Sequence, residues 1–413
     1  MDGLSIPAAS LPTRLAEPTL DLLSGVTVLD LTTSLAGPYA GQILADLGAT
    51  VIKIEKPIHG DDSRAWGPPF LDGESLWYMS VNRNKRSITL DYAVERGSRL
   101  FCSLVSRADV VLINVTARVQ RKLRIDRAAL SLIKPDLIHA SITGFGLDGP
   151  KADLPCYDLI AEGYSGVMDM TGEMDSPPQK VGTPAADLLA GEDAALAIVA
   201  ALYRRHRSGS GAQIDISMIE SMTRFMAPRL VAHMGSGEMF RRSGGRDSVI
   251  AIYQSFETAD KPLTLALGND AIWKRFWGVV GQPERAHDPA YASNPMRRAN
   301  REILVTEIAA ILLTRPRDEW LALFIGARVP AGPIYRLDEV AADTELHRRG
   351  FLYRFERNGK QIPQVGLGIK IDGRSEALER PPPKIGQDNL EIFSEWLGLE
   401  SSEIEQLSAD GII

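Results

Sequence analysis

The run KVGTPAADLLAG, residues 180–191, places one carboxylate, Asp187, in an otherwise small and apolar stretch that opens an alanine-rich helix. Two roles fit an acid there. Aspartate is a common helix cap, because its oxygens accept the orphan N–H groups of the first turn. A carboxylate is also a nucleophile that can split one difficult exchange into easier covalent steps. Spacing alone does not choose between them. Other chemistries find little support: no H-E-x-x-H or C-x-x-C pair suggests a metal, and no G-x-S-x-G elbow is present. The histidines at 59, 139, 206, 233, 287 and 347 form no motif and read as structural or surface groups.

The elements that would position such an acid follow a regular alternation. VTVLDL (26–31) reads as a strand, Pro38 suits the first turn of a helix over PYAGQILADL, Gly48 suits its end, and TVIKIE (50–55) reads as a second strand. The pattern continues through RSITLDY (86–92), a helix to Ala108, DVVLIN (109–114), a helix containing RAALSLI, and DLIHASITGFG (136–146). Strands alternating with helices predict a mostly parallel sheet covered on both faces. Ligands of such sheets sit beyond the carboxyl ends of the strands. TTSLAG, EKPIHGDD, NVTARV and TGFGLDGP are therefore the segments to search. No G-x-G-x-x-G follows the first strand, which argues against a dinucleotide cofactor. After Asp187 a helix is predicted through LLAGEDAALAIVAALYRRHR to SGSG; its small residues imply burial, and its last-turn cations complement the macrodipole.

At 413 residues, 44% apolar and 24% charged, the chain has the composition of a soluble globular protein with room for one large domain and a smaller one, or for two of ordinary size. No apolar run reaches the ~18 residues of a spanning helix, and the opening lacks the pattern of a secretion signal, so the expected location is cytoplasmic. Cys102 and Cys156 have neither paired nor metal-type spacing and are expected to be reduced. A net charge of −7 argues against nucleic-acid or anionic-membrane partners. NRNKRS (82–87) and RRHR (204–207) read as solvated surface.

Several stretches taken in order narrow the reading. VLDLTTSLAGPYAGQILADLGATVIKIEKP, NRNKRSITLDY, HASITGFGLDGP, YDLIAEGYSGVMDMTGE and VGTPAADLLAG together resemble the class III coenzyme A transferases, the CaiB/BaiF family of formyl-CoA and carnitine-CoA transferases. The likeness covers residues 24–220 strongly and extends more weakly to PPPKIGQDN and the final GII.

The resemblance implies that Asp187 is the catalytic aspartate, which attacks an acyl-CoA to give a mixed anhydride and then an aspartyl-CoA thioester before CoA moves to the acceptor acid. CoA is then a substrate, with no tightly bound cofactor and no metal. For CoA the resemblance points to Ser34, Leu35, Lys56, Leu90, Asn114, Lys122 and Tyr157, and charge adds Arg118. SGGRD (243–247) is the candidate for a glycine loop covering the aspartate. Tyr157 stands where the family's acyl-CoA racemases carry a histidine base, so transfer is favoured over racemisation; a racemase or a non-catalytic CoA-binding protein are the alternatives. Leu35 replaces a glutamine of the formyl-CoA branch, which disfavours formate and oxalate as acids. Cys156 replaces a glycine, and INVTAR lacks the usual Phe and Arg.

The fold so implied is α/β: a large Rossmann-like domain with a mostly parallel sheet, a smaller α+β domain, and an interlocked homodimer. The expected boundaries are an N-terminal extension at 1–23, the first part of the large domain at 24–218, a linker at 219–245, the small domain at 246–330, a linker at 331–346, and a C-terminal part completing the large domain at 347–413.

Overall fold

The computed structural model describes residues 8–13, 19–247, 249–376 and 380–413. The chain forms two compact units. The larger holds Ser5–Val167, Lys180–Ser236 and Asp343–Ile413, and the smaller holds Met168–Gln179 and Gly237–Ala342.

In the larger unit the strands are β1 (Thr27–Asp30), β2 (Thr50–Glu55), a two-residue ribbon β3 (Phe70–Leu71) and β4 (Glu74–Ser75), then β5 (Lys85–Thr89), β6 (Val110–Ile113), β7 (Ile138–Thr143) and β8 (Ala212–Ser217). Six of them make one parallel sheet in the order β5-β2-β1-β6-β7-β8. Val28 lies opposite Val51 on one side and Val110 on the other. The chain winds outward from β1 to β5, returns to the middle at β6, and winds outward the other way. The strand order reverses between β1 and β6, and the carboxyl ends at such a switch are the usual ligand position of these sheets.

Burial explains the composition of the strands. β1, β2, β6 and β7 are covered on both faces, and β1, β2 and β6 are accordingly rich in Val, Ile and Leu. On one face Leu29, Ile52, Ile88 and Val111 pack with Ile392, Phe393 and Leu407 from the end of the chain, so the C-terminal segment closes the core begun by the N-terminal half. On the other face the helix Ala36–Asp46 packs against the long helix Ala185–Ser208, where a side chain at Gly191 would collide with the Ala36 carbonyl at 2.6 Å. A late antiparallel hairpin pairs β12 (Leu352–Arg357) with β13 (Lys360–Val365).

The smaller unit is α+β. Its sheet is antiparallel, with β10 (Leu263–Ala266) between β9 (Tyr253–Phe256) and β11 (Ala331–Pro333). Trp273, Phe276, Trp277, Leu304 and Phe324 fill its core from the surrounding helices.

The structure departs from the sequence reading in four places. β8 is an edge strand whose residues alternate between partly covered and exposed, so AQIDIS carries too weak an apolar signal to stand out. β12 is likewise legible only once its partner is seen, because LYRFER is half charged. NRNKRS is not solvated surface: Asn82, Arg83, Asn84, Lys85 and Ser87 are all buried. Arg83 forms an ion pair with Asp46 at 2.5 Å and Lys85 with Asp30 at 2.9 Å, and partners distant in sequence hide this burial from a linear reading. The expected linker at 219–245 includes most of two helices, Met218–Phe225 and Ala227–Ser236. Among the described residues no helix is long and apolar enough to cross a membrane.

Candidate active site

Asp187 sits in the first turn of the long helix Ala185–Ser208. It does not cap that helix. The cap comes from Asp158, at the start of the helix Asp158–Ser165, whose Oδ1 accepts from Ala186 N at 2.9 Å and from Asp187 N at a long 3.5 Å. With those donors satisfied from outside, the Asp187 carboxylate accepts no hydrogen bond and forms no ion pair among the described residues. Burial and then the Asp158 charge push its pKa up to about 7. The helix dipole favours an anion at this position, so the carboxylate is placed where it can ionise yet stays poorly solvated.

The neighbours are unusual in charge. Glu162, one turn beyond Asp158, is fully buried; its Oε2 accepts from Val181 N at 2.8 Å, and burial followed by the Asp158 carboxyl raises its pKa. Cys156 stands close enough to Asp187 and Asp158 that burial and these charges lift its thiol to about 11. It is therefore held as a neutral thiol and does not compete as a nucleophile. Cys156 also packs its Cβ against Gly144, which ties this corner to the end of β7. Sequence reasoning missed Asp158 and Glu162, although their spacing of four on a helix was available as a signal.

Gly191, one turn beyond Asp187 on the same face of the long helix, meets Ala36 backbone just after Ser34 and Leu35. Ser34 is held in the left-handed region at φ 70°, and Leu35 is buried and begins the first helix. Asn114, at the end of β6, clamps the same loop: its Oδ1 accepts from Thr33 N at 3.1 Å and its Nδ2 donates to Thr33 O at 2.8 Å. Lys56 follows β2 and Leu90 follows β5, so both stand at the carboxyl edge of the sheet. Lys56, Lys122 and Arg118 are exposed, and none of the three side chains forms an ion pair among the described residues. These are free cations suited to phosphate. Leu90 is fully buried and its N–H is bonded to Glu55 O at 2.8 Å. Tyr157, directly before the Asp158 helix, is 69% exposed, a large aromatic surface left open beside the acids. SGGRD belongs to the smaller unit, where Gly244 has φ 60° and donates to Gly172 O at 2.9 Å. Among the described residues no group of three or more His, Cys, Asp or Glu side chains is placed to hold a metal ion.

Comparison with known proteins gives this site a context. The family model described as CoA-transferase family III matches residues 23–389. The succinate–glutarate CoA-transferase of Agrobacterium fabrum is 40% identical over 389 residues, covering 92% of this chain and 96% of that one. The acetyl-CoA:oxalate CoA-transferase of Acetobacter aceti is 37% identical over 379 residues, covering 91% and 96%. The crystal structure of a CAIB/BAIF family protein from Brucella suis superposes with a TM-score of 0.81 at 37% identity, covering 91% of this chain and 99% of that one. A parallel sheet whose strand order reverses between β1 and β6, and relatives of this length and likeness, lead to one conclusion: the chain belongs to CoA-transferase family III and is a CoA-transferase.

Proposed function

We propose that Asp187 is the nucleophile of an exchange that moves CoA from an acyl-CoA to a free dicarboxylic acid. The observation that carries this reading is its carboxylate, without a hydrogen-bond donor among the described residues, one turn from the contact of Gly191 with Ala36 and lifted to about 7. An ionised Asp187 attacks the thioester carbonyl, the C–S bond breaks, and CoA leaves as thiolate. The thiolate then attacks the aspartyl carbonyl of the mixed anhydride and releases the donor acid, leaving an aspartyl-CoA thioester. The acceptor carboxylate displaces CoA from it to give a second anhydride. CoA thiolate attacks the acceptor's carbonyl, and Asp187 is regenerated as carboxylate.

Each tetrahedral oxyanion needs preorganised donors; within SGGRD (243–247) the N–H groups of Gly244, Arg246 and Asp247 are already bonded to the carbonyls of Gly172, Ser243 and Tyr253. Lys56 and Lys122, with Arg118, take the CoA phosphates, and Ser34, Leu35, Leu90, Asn114 and Tyr157 line its path. For the acids, the succinate–glutarate transferase at 40% identity supports succinyl-CoA as donor and a five-carbon dicarboxylate as acceptor. The apolar Leu35 makes oxalate a poor acid here, in contrast to the Acetobacter relative.

A second copy of the chain completes the assembly in this reading. The helix Ala227–Ser236 has no buried residue although it carries Val231 and Met234, 63% and 72% exposed, which is a face for another subunit. Sedimentation at micromolar concentration then gives a dimer, and a monomer would remove this part of the proposal. For the chemistry, the enzyme is mixed with succinyl-CoA and quenched with hydroxylamine, and the peptide containing Asp187 is weighed. A hydroxamate on Asp187 is expected. A modified cysteine, or an unmodified Asp187 peptide during turnover, would overturn the assignment.

A further inference from the structure

The loop after β1 is fixed more tightly than its sequence suggests. Three successive backbone N–H groups each find a side-chain oxygen from a different part of the sheet. Thr32 N donates to Asp30 Oδ1 at 3.0 Å, Thr33 N to Asn114 Oδ1 at 3.1 Å, and Ser34 N to Asp61 Oδ1 at 3.0 Å. The carbonyls are held as well: Thr32 O accepts from Lys53 Nζ at 2.7 Å and Thr33 O from Asn114 Nδ2 at 2.8 Å. Lys53 Nζ also stands 2.8 Å from Asp61 Oδ2, an oxygen that no aligned N–H reaches and that the ammonium satisfies by charge alone. Beneath it Lys85 Nζ pairs with Asp30 Oδ2 at 2.9 Å and donates to Pro38 O at 2.7 Å. Lys53, Lys85 and Asp30 are fully buried, and Asp61 is 1% exposed.

Two lysines and two aspartates cancel in charge. Taking them out of water still has a cost, and apolar residues of the same volume serve stability as well or better. What the ions do that apolar residues cannot is bind backbone. Ser34 needs such restraint, because a non-glycine residue in the left-handed region persists only where its surroundings over-determine it. Asp61 supplies the acceptor, and Ser63 orients Asp61 through N–H and Oγ bonds of 2.8 and 2.7 Å to the same oxygen.

We propose that Lys53 and Asp61 are positioning residues for CoA: the buried pair locks Thr32–Ser34 in the shape that receives the thioester, although neither side chain reaches the ligand. The inference rests on the reading that Ser34 and Leu35 line the CoA path, and its test separates the two.

Hydrogen exchange of the segment 32–35 is measured with and without CoA in the unaltered enzyme, in Asp61→Ala, and in the gentler Asp61→Asn and Lys53→Met. The unaltered segment is expected to exchange slowly and to slow further with CoA. Absence of any CoA effect there would remove the underlying reading of the CoA path, and the inference with it. In Asp61→Ala the segment is expected to exchange at least about tenfold faster, the KM for acyl-CoA and the CoA Kd by calorimetry to rise about tenfold, and kcat and the KM for the acceptor acid to change less than about threefold. Asp61→Asn, which keeps an acceptor for Ser34 N, is expected to recover most of the affinity. If Asp61→Ala does not fold, Lys53→Met carries the same expectation at smaller size. Folded variants whose CoA affinity is unchanged, or whose kcat falls as far as their affinity, would overturn the positioning role.

Discussion

Two groups of acids in the larger unit, Asp30 and Asp61 buried and Asp187 half-buried, end with opposite character. Asp30 and Asp61, below the loop after β1, are pushed upward by burial, yet Lys85 and Lys53 overcome this and hold both carboxyls below the ordinary range. Asp187 is pushed upward by burial and then by Asp158, with no ion pair among the described residues to oppose them, and reaches about 7. Desolvation is common to both groups; the nearest charge decides the outcome. A paired acid is an anchor for backbone. An acid left without a partner keeps its electrons for chemistry.

The largest effect expected from breaking this contrast is on turnover. Asp187→Ala removes the nucleophile and lowers kcat by roughly 1,000-fold or more, measured as formation of the acceptor's CoA ester. Next is Lys85→Met, which takes from the buried Asp30 its direct ion-pair partner, leaving Lys53 as the remaining cation, and costs about 3 kcal/mol of unfolding free energy by denaturant titration. Lys85 itself titrates low, near 8, because burial outweighs its attraction to Asp30, so the pair has little reserve.

The pH dependence sharpens the comparison. Asp187 acts as carboxylate, so kcat/KM for acyl-CoA is level above about pH 7 and falls about tenfold per unit below it. A flat profile between pH 5 and 8 would contradict the role of a raised acid. Its stability consequence has the opposite sense. The folded pKa lies above the unfolded 3.8, so the folded state binds the extra proton between these values, and stability is lost as pH rises from about 4 to about 7. Asp187→Asn removes that burden and raises stability by about 1–2 kcal/mol at pH 8 while abolishing turnover. The smallest effect is that of Asp158→Asn. It preserves an oxygen for the cap but deletes the charge, moving the acid limb of the rate profile to lower pH and raising the relative rate at pH 6 by about two- to fivefold.

Much of this arrangement was legible in the sequence because parallel strands buried on both faces are nearly uniform in residue type. β1, β2 and β6 stand near their predicted places for that reason, whereas β5 (KRSIT) and β7 (IHASIT), polar in half or more of their residues, and the long helix followed from the strand–helix alternation; ends are adjusted by a few residues. The position of Asp187 at a helix start was legible too. Its freedom was not, because the cap is supplied from Asp158, 29 residues earlier, and no linear pattern shows which of two acids faces the amides. The buried lysines were hidden in a different way. Lys53 lies between Ile52 and Ile54 in a strand with no exposed face, which was the available sign, yet its partner Asp61 comes from the loop after that strand. Lys85, within NRNKRS, resembled surface because charge runs usually are.

The central claim is that the Asp187 carboxylate forms and breaks bonds to both acyl groups, and oxygen tracing tests it most directly. The acceptor acid is supplied with 18O in its carboxylate, turned over with unlabelled succinyl-CoA, and the Asp187 peptide is isolated after the products leave. Because the second anhydride breaks on the acceptor's side, its bridging oxygen remains with the enzyme. The account predicts 18O in the Asp187 side chain and in no other carboxyl group. An Asp187 peptide still free of label after many turnovers would contradict it.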